Sequence, residues 1–173
     1  QLAEWWHRWP VANIGVATGT VSGLVVLDAD GLAGLESLKA LNTPATTWLS
    51  KTGRVEGGWQ QFFRHPGPPV RIGNRAKWRP GLDVRGDGGY VIVPPSLHKS
   101  GNRYEWLTSP SDLPLAPLPE PVLTLLLSAD ASAPGDAGAR EEEFIGNGQR
   151  NDTLYRIGRS LHAIPGRPAV SFV

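Results

Sequence analysis

The stretch GLVVLDADGL, Gly23 to Leu32, decides how the rest of the chain is read. Leu24 to Leu27 is a short continuous apolar run rich in β-branched residues, the signature of a buried strand, and Gly31 marks where it stops. Side chains alternate along a strand, so Asp28 and Asp30 share a face and sit roughly 7 Å apart along it. Two like charges at the end of a core strand repel and are costly to desolvate. Something positive is expected between them, and a divalent cation is the usual solution.

Outward from that strand, the pattern alternates short strands with glycine turns. NIGVATG (Asn13–Gly19) reads as a strand with Gly23–Asp30 as its hairpin partner. Gly34–Leu41 carries apolar residues at 35, 38 and 41 and predicts a short helix. Further strands are predicted at Thr46–Lys51, Gln60–Arg64, Leu82–Val84, Tyr90–Val93 and Asn102–Trp106, with a loop from His65 and a basic irregular segment up to Pro80. LAEWWHRW (Leu2–Trp9) reads as the end of an amphipathic helix stopped by Pro10, its tryptophans assigned to the core. Val122–Leu127 is a brief apolar helix. SADASAPGDAGAR (Ser128–Arg140) has linker composition, and RNDTLYRIGRSLHA beyond it has apolar positions at 154, 157 and 161, the spacing of a helix capped by Asn151 or Asp152. The expected organisation is a catalytic domain at 1–127, a linker at 128–143 and the start of a helical module at 144–173.

The 173 residues suffice for one full-sized core. The chain opens on Gln1 and contains no methionine, which reads as a fragment of a longer protein. No apolar run approaches the roughly 18 residues of a membrane span, and the N-terminus lacks a signal-peptide layout. The absence of cysteine excludes disulfides, thiolate metal sites and a cysteine nucleophile, and fits a cytoplasmic location. Charge is uneven: from Lys51 to Glu105 ten Lys or Arg face four acids, whereas from Thr108 to Glu143 seven acids face Arg140 alone. A basic middle suits a polyanionic ligand such as a nucleotide or nucleic acid.

Three motifs converge. The first is Asp28 with Asp30. The second is GLDVRGDGG, where Asp83 adds a third carboxylate beside Arg85, as a site for two Mg²⁺ or Mn²⁺ ions about 4 Å apart requires. The third is TGRVEGGWQQFFR (Thr52–Arg64), whose glycines let backbone N–H groups approach phosphate oxygens beside Arg54. Without GK[ST] it is not a Walker A loop.

The ordered blocks NIGVATG, VVLDADG, TGR..GGW..FFRHPG and GLDVRGDGGYVIVPPSLHKSGNRYEW resemble the primase-polymerase domain of the archaeo-eukaryotic primase superfamily, of the bifunctional DNA primase/polymerase N-terminal type. The resemblance covers roughly Trp5 to Trp106, and NGQRNDTLYRIGRSL resembles the start of the helical module that often follows. It implies an α/β (α+β) fold, an α/β unit packed with a sheet like that of an RNA-recognition motif. It also implies template-directed nucleotidyl transfer from dNTPs or NTPs on single-stranded DNA, and a helicase domain or partner in the full-length protein. Asp28, Asp30 and Asp83 fall on the family's acidic motifs and are implied to be the catalytic residues and ligands of two cations. Gln60 stands where the family usually has a triphosphate-contacting histidine. A carboxamide still donates a hydrogen bond but cannot become cationic. Arg54, Arg85, Ser96, His98 and Lys99 are the further expected nucleotide contacts. Arg75, Lys77, Trp78 and Arg79 are expected at the DNA, where cations and a stacking ring combine. His7, His65 and His162 are assigned structural roles. Two rival readings are a DxD nucleotide-sugar glycosyltransferase, which leaves the block from Gly81 unexplained, and a weakened nucleic-acid-binding primase relative, motivated by Gln60.

Overall fold

A computed structural model of the protein describes residues 2–131 and 170–172. The elements run α1 (Leu2–Arg8), β1 (Ile14–Ala17), β2 (Leu24–Asp30), α2 (Gly31–Ala40), β3 (Leu49–Lys51), β4 (Gly58–Arg64), β5 (Arg75–Arg79), β6 (Leu82–Arg85), β7 (Tyr90–Val93), β8 (Glu105–Thr108), α3 (Glu120–Ala131) and β9 (Val170–Phe172). The strands form a six-stranded sheet in the order β5-β6-β2-β4-β3-β8 and a three-stranded sheet in the order β7-β1-β9. Every strand pairing described is antiparallel. The fold is thus mixed α/β.

β2 reads as a continuous apolar run because both its faces are covered. Val25, Leu27 and Ala29 join Phe63, Leu82 and Val84 against Leu38 of α2 and Val122 and Leu126 of α3. On the opposite face Val26 meets Phe62, Val91 and Val93, with Ile14 and Val16 of the small sheet packed beside them. That second face changes character one step later. The next outward-facing position on β2 is Asp28, opposite Gln60 of β4, so the apolar contact between the sheets gives way to polar side chains.

The predicted hairpin does not form. β1 pairs with β7 and β9, and β2 with β4 and β6, so Asn13–Gly19 and Gly23–Asp30 belong to different sheets and meet at one bridge, Gly19↔Leu24. Leu82–Val84 and Tyr90–Val93 likewise divide between the sheets. The reason is a clasp between the two connecting turns. The Thr18 hydroxyl donates to the Gly86 carbonyl at 2.7 Å, and Asp87 accepts the Thr20 N–H at 2.7 Å. The turns bond to each other, and each chain crosses from one sheet to the other.

Other boundaries shift. The segment read as irregular contains β5, whose register slips between Arg75↔Val84 and Arg79↔Leu82. The last strand falls at Glu105–Thr108 rather than Asn102–Trp106. α3 reaches Ala131, into the stretch read as linker, while the remainder of that linker and the helix expected from Asn151 lie outside the described residues. Val170–Phe172, within the expected helical module, pairs as a strand with β1. Two of the tryptophans assigned to the core are not in it: Trp6 and Trp9 are exposed, and Arg8 lies over the Trp9 ring.

The first turn of α2 is pinned to the β5–β6 turn. The Asp30 N–H donates to the Gly81 carbonyl at 2.7 Å, and a Cβ added to Gly34 would collide with that carbonyl and with the backbone of Ala29. Neither obstacle is a flexible side chain, so Gly34→Ala is expected to force α2 off the sheet and to destabilise the protein by about 2 kcal/mol or more. A thermal melt showing a clear fall in Tm checks this, and an unchanged Tm would refute the close approach.

Candidate functional site

The antiparallel register assembles a row of side chains on the face shared with Val26, just beyond the contact with the small sheet. Asp28 faces Asp83 on β6 and Gln60 on β4; Ser50 of β3 faces Gln60 and, on its other side, Trp106 of β8. Directly opposed residues share a face, so this row crosses the sheet, and Asp30 follows two residues beyond Asp28. The motifs read separately from the sequence are therefore adjacent in space.

Two arginines hold the carboxylates. Arg85 donates from Nη2 to Asp83 at 2.8 Å, and its Nε lies 3.6 Å from Asp28. Arg54, on the turn after β3, reaches Asp30 with Nε at 2.6 Å. Asp83 also accepts the backbone N–H of Lys77 at 2.7 Å. Asp30 occupies the N-cap position of α2 yet makes no side-chain cap bond, so an ordinary capping role does not account for it. Burial pushes the Asp28 carboxyl up to about 6; Arg85 opposes that rise, and the charges of Asp30 and Asp83 add to it. Asp30 is raised as well, again foremost by burial, with Arg54 opposing.

Among the described residues no three His, Cys, Asp or Glu side chains are grouped as a preformed cation cage. The donor set is nonetheless hard oxygen, three carboxylates from two adjacent strands with Asp28 and Asp83 directly opposed, and that chemistry suits Mg²⁺ or Mn²⁺.

The row lies between two open depressions. One is lined by Arg54, Val55, Glu56, His98, Lys99 and Ser100. The Ser100 hydroxyl donates to the Gly53 carbonyl at 2.5 Å and Asn102 Nδ2 donates to the same oxygen at 3.2 Å, which ties the 98–102 loop to the turn bearing Arg54. The second depression is lined by Asp30, Asp83 and the segment Ala76–Gly81.

The expected site residues divide accordingly. Asp28, Asp30, Asp83, Gln60, Arg54 and Arg85 surround the row, with His98 and Lys99 on one flank and Lys77, Trp78 and Arg79 on the other. Ser96 and Arg75 do not join them. Ser96 is buried and its hydroxyl accepts the Ile14 N–H at 2.8 Å, which ties β1 to the segment after β7. Arg75 donates to the Leu126 carbonyl at 2.6 Å and anchors α3. Trp78 packs partly against the main core, with the Arg79 guanidinium 4.8 Å from its ring centroid, so it is not an open stacking platform. His65 is buried, its Nδ1 accepting the Gly67 N–H at 2.9 Å, in keeping with a structural role.

Two residues escape the sequence reading. Ser50 is fully buried and donates to Gln60 Oε1 at 3.0 Å. Tyr104 has its phenol pushed up by burial and by the charges of Asp28 and Asp30, and its ring meets His98 edge-on at 6.0 Å. Alternation was the available signal for Ser50, since pairing the predicted strand Thr46–Lys51 with Gln60–Arg64 sets one of its small polar residues against Gln60.

A row of carboxylates and arginines, flanked by depressions that bring in Lys77, Arg79 and Lys99, has the composition of a site for phosphorylated substrates. The chain belongs to the bifunctional DNA primase/polymerase N-terminal family, whose profile matches residues 1–121. No curated protein sequence matches the chain. Family membership implies nucleotidyl transfer of the primase/polymerase type, with DNA and nucleotides as substrates, and decides against the glycosyltransferase reading. No helix among the described residues is long and apolar enough to cross a membrane.

The raised Asp28 carboxyl has a signed consequence for stability. A carboxyl whose folded pKa lies above its unfolded value favours the folded state at low pH, and that advantage is lost as pH rises from about 4 through about 6. Asp28→Asn removes the dependence. In EDTA, urea unfolding is expected to show the variant gaining on the parent between pH 4 and pH 7.5, by on the order of 2–3 kcal/mol. A pH-independent difference would contradict the burial of Asp28.

Proposed function

We propose that this chain carries the catalytic core of a primase-polymerase of the archaeo-eukaryotic kind, spanning about 1–127, which extends primers with dNTPs or NTPs on a single-stranded DNA template. The observation that carries the reading is the juxtaposition of Asp28 and Asp83 across β2 and β6, with Asp30 two residues on. Two divalent cations held by these carboxylates would neutralise the triphosphate and favour the deprotonated 3′-hydroxyl. Arg54 and Arg85, which hold these carboxylates in the structure, would then be donors for phosphate oxygens. Lys99 lines the depression beside Arg54 and adds positive charge to the polyphosphate path, and His98 lies beside it as a ring with hydrogen-bonding nitrogens. At neutral pH Asp28 is largely ionised despite its burial, so it offers a carboxylate without a prior proton loss.

Gln60 takes a defined part. Its Oε1 is engaged by the Ser50 hydroxyl, which leaves the amide nitrogen as the donor end for a phosphate oxygen. A carboxamide does not titrate, so this contact stays constant with pH, whereas an imidazole at the same place would change charge near neutrality.

Primer extension with labelled dNTPs on single-stranded DNA and Mn²⁺ or Mg²⁺ tests the reading. Extension is expected from the parent, a loss of at least 100-fold (~3 kcal/mol in barrier) from Asp28→Ala/Asp30→Ala, and tighter dNTP use with Gln60→His. DNA binding without extension in both the parent and Gln60→His would favour a weakened binding relative instead.

A further inference from the structure

Two neighbouring glutamines on β4 are both buried but satisfied to different extents. Gln61, 6% exposed, uses both ends of its carboxamide: Oε1 accepts the Thr43 hydroxyl at 2.6 Å and Nε2 donates to the Pro44 carbonyl at 2.9 Å. Gln60, 3% exposed, uses one. Its Oε1 accepts the Ser50 hydroxyl at 3.0 Å, and its Nε2 makes no hydrogen bond among the described residues. The fully buried side-chain polar atoms without a partner there are His65 Nε2 and Arg79 Nε, so Gln60 Nε2 reaches the surface. Buried carboxamides ordinarily satisfy both ends, as Gln61 does. A donor left open on a residue held this firmly points to a ligand.

Ser50 decides which end of the carboxamide is open. It is fully buried, paired in register with Gln60 on one side and Trp106 on the other, and its hydroxyl makes this single hydrogen bond among the described residues. The indole of Trp106 is a donor only and offers no alternative acceptor. With the carboxamide turned round, Ser50 would accept from Nε2, and its own hydroxyl proton would lose the acceptor it has now, at a depth where water does not replace it. The turned carboxamide would also set Oε1 on the side of Asp28, which lies opposite Gln60 across β2 and β4, acceptor against carboxylate. Serine from one side and the acid from the other therefore select the same orientation, with the –NH₂ toward the acidic row.

We propose that Ser50 is a positioning residue for the incoming nucleotide: it holds the Gln60 carboxamide so that the nitrogen, and not the oxygen, meets a phosphate oxygen, although Ser50 itself touches no substrate. The proposal rests on the primase-polymerase reading above. The terminal torsion of glutamine is broad and roughly two-fold, so without the hydroxyl nothing on β3 separates the two orientations. Phosphate oxygens accept hydrogen bonds, and a carbonyl oxygen presented in place of the –NH₂ would repel them. The direction of the amide thus carries both the bond gained and the repulsion avoided. A serine hydroxyl keeps this direction at every pH at which the protein folds, because neither it nor the carboxamide titrates.

Titration calorimetry of dNTP in the presence of Mn²⁺, alongside steady-state primer extension, tests the role. Ser50→Ala removes the hydroxyl, and Ser50→Cys nearly keeps the volume while offering a far weaker donor. Both are expected to bind dNTP about five-fold more weakly, with the KM for dNTP rising to match and that for primer–template staying within about two-fold of the parent. The loss must run through the amide, so in a Gln60→Ala background the same Ser50 substitutions are expected to change dNTP affinity by less than about two-fold. Matched melting curves for Ser50→Cys and the parent exclude unfolding as the cause. A Ser50 effect of equal size in the Gln60→Ala background overturns the positioning role, as does unchanged dNTP affinity in both Ser50 variants of a parent that extends DNA, and either result leaves the polymerase reading intact. A parent that neither binds dNTP nor extends DNA overturns both readings.

Discussion

The contact on which the site depends is the bridge that Arg85 makes between Asp83 on its own strand and Asp28 on the neighbouring one. The register sets the two carboxylates directly opposite each other, the closest placement a sheet allows, where like charges are destabilising. Burial compounds the cost, as the raised Asp28 carboxyl records. Positive charge is therefore required at this spot whatever the ligand state. Arg85 supplies it from the same face, two residues after Asp83, and Arg54 does the same for Asp30 from a turn. Guanidiniums are replaceable where a metal–oxygen bond is stronger, so the pairing that stabilises the fold also keeps the carboxylates available.

The small sheet determines where this arrangement begins. It covers β2 as far as Val26, opposite Phe62, and the same face carries Asp28 and Gln60 at the next position. One strand thus serves as core for its first half and carries the acidic row on its second. Thr18 and Asp87 hold that boundary in place by bonding the turns through which the chain passes between sheets. Failure of that clasp would slide the apolar contact and the acidic row together.

Much of this was legible in the residues. The Leu24–Leu27 run, the two acids at its end and the Gly81 block all carried local signals, because strand periodicity and glycine turns act over a few residues. Sheet membership was not legible. Asn13–Gly19 and Gly23–Asp30 have the spacing of a hairpin, and only the long-range bonds from Thr18 and Thr20 to Gly86 and Asp87 send them to separate sheets. Tyr104 was equally hidden, since its approach to the acids depends on how the loop from Ser96 folds back toward Gly53. Ser96 and Arg75 carried the right chemistry for ligands, but each spends it on backbone of a distant element.

β5 shows why one feature answers two demands. It is the end strand of the six-stranded sheet, and an exposed strand edge invites pairing with another chain. A bulge and a run of cations blunt that tendency, and β5 has both in Arg75–Arg79. The same bulge turns the Lys77 N–H toward Asp83, and the same cations face the acidic row across an open depression. Protection of the edge alone is met by charge of either sign at any spacing. It does not account for a backbone donor committed to Asp83. That donor holds one carboxylate of the row in place, so the irregularity that blunts the edge also orients Asp83.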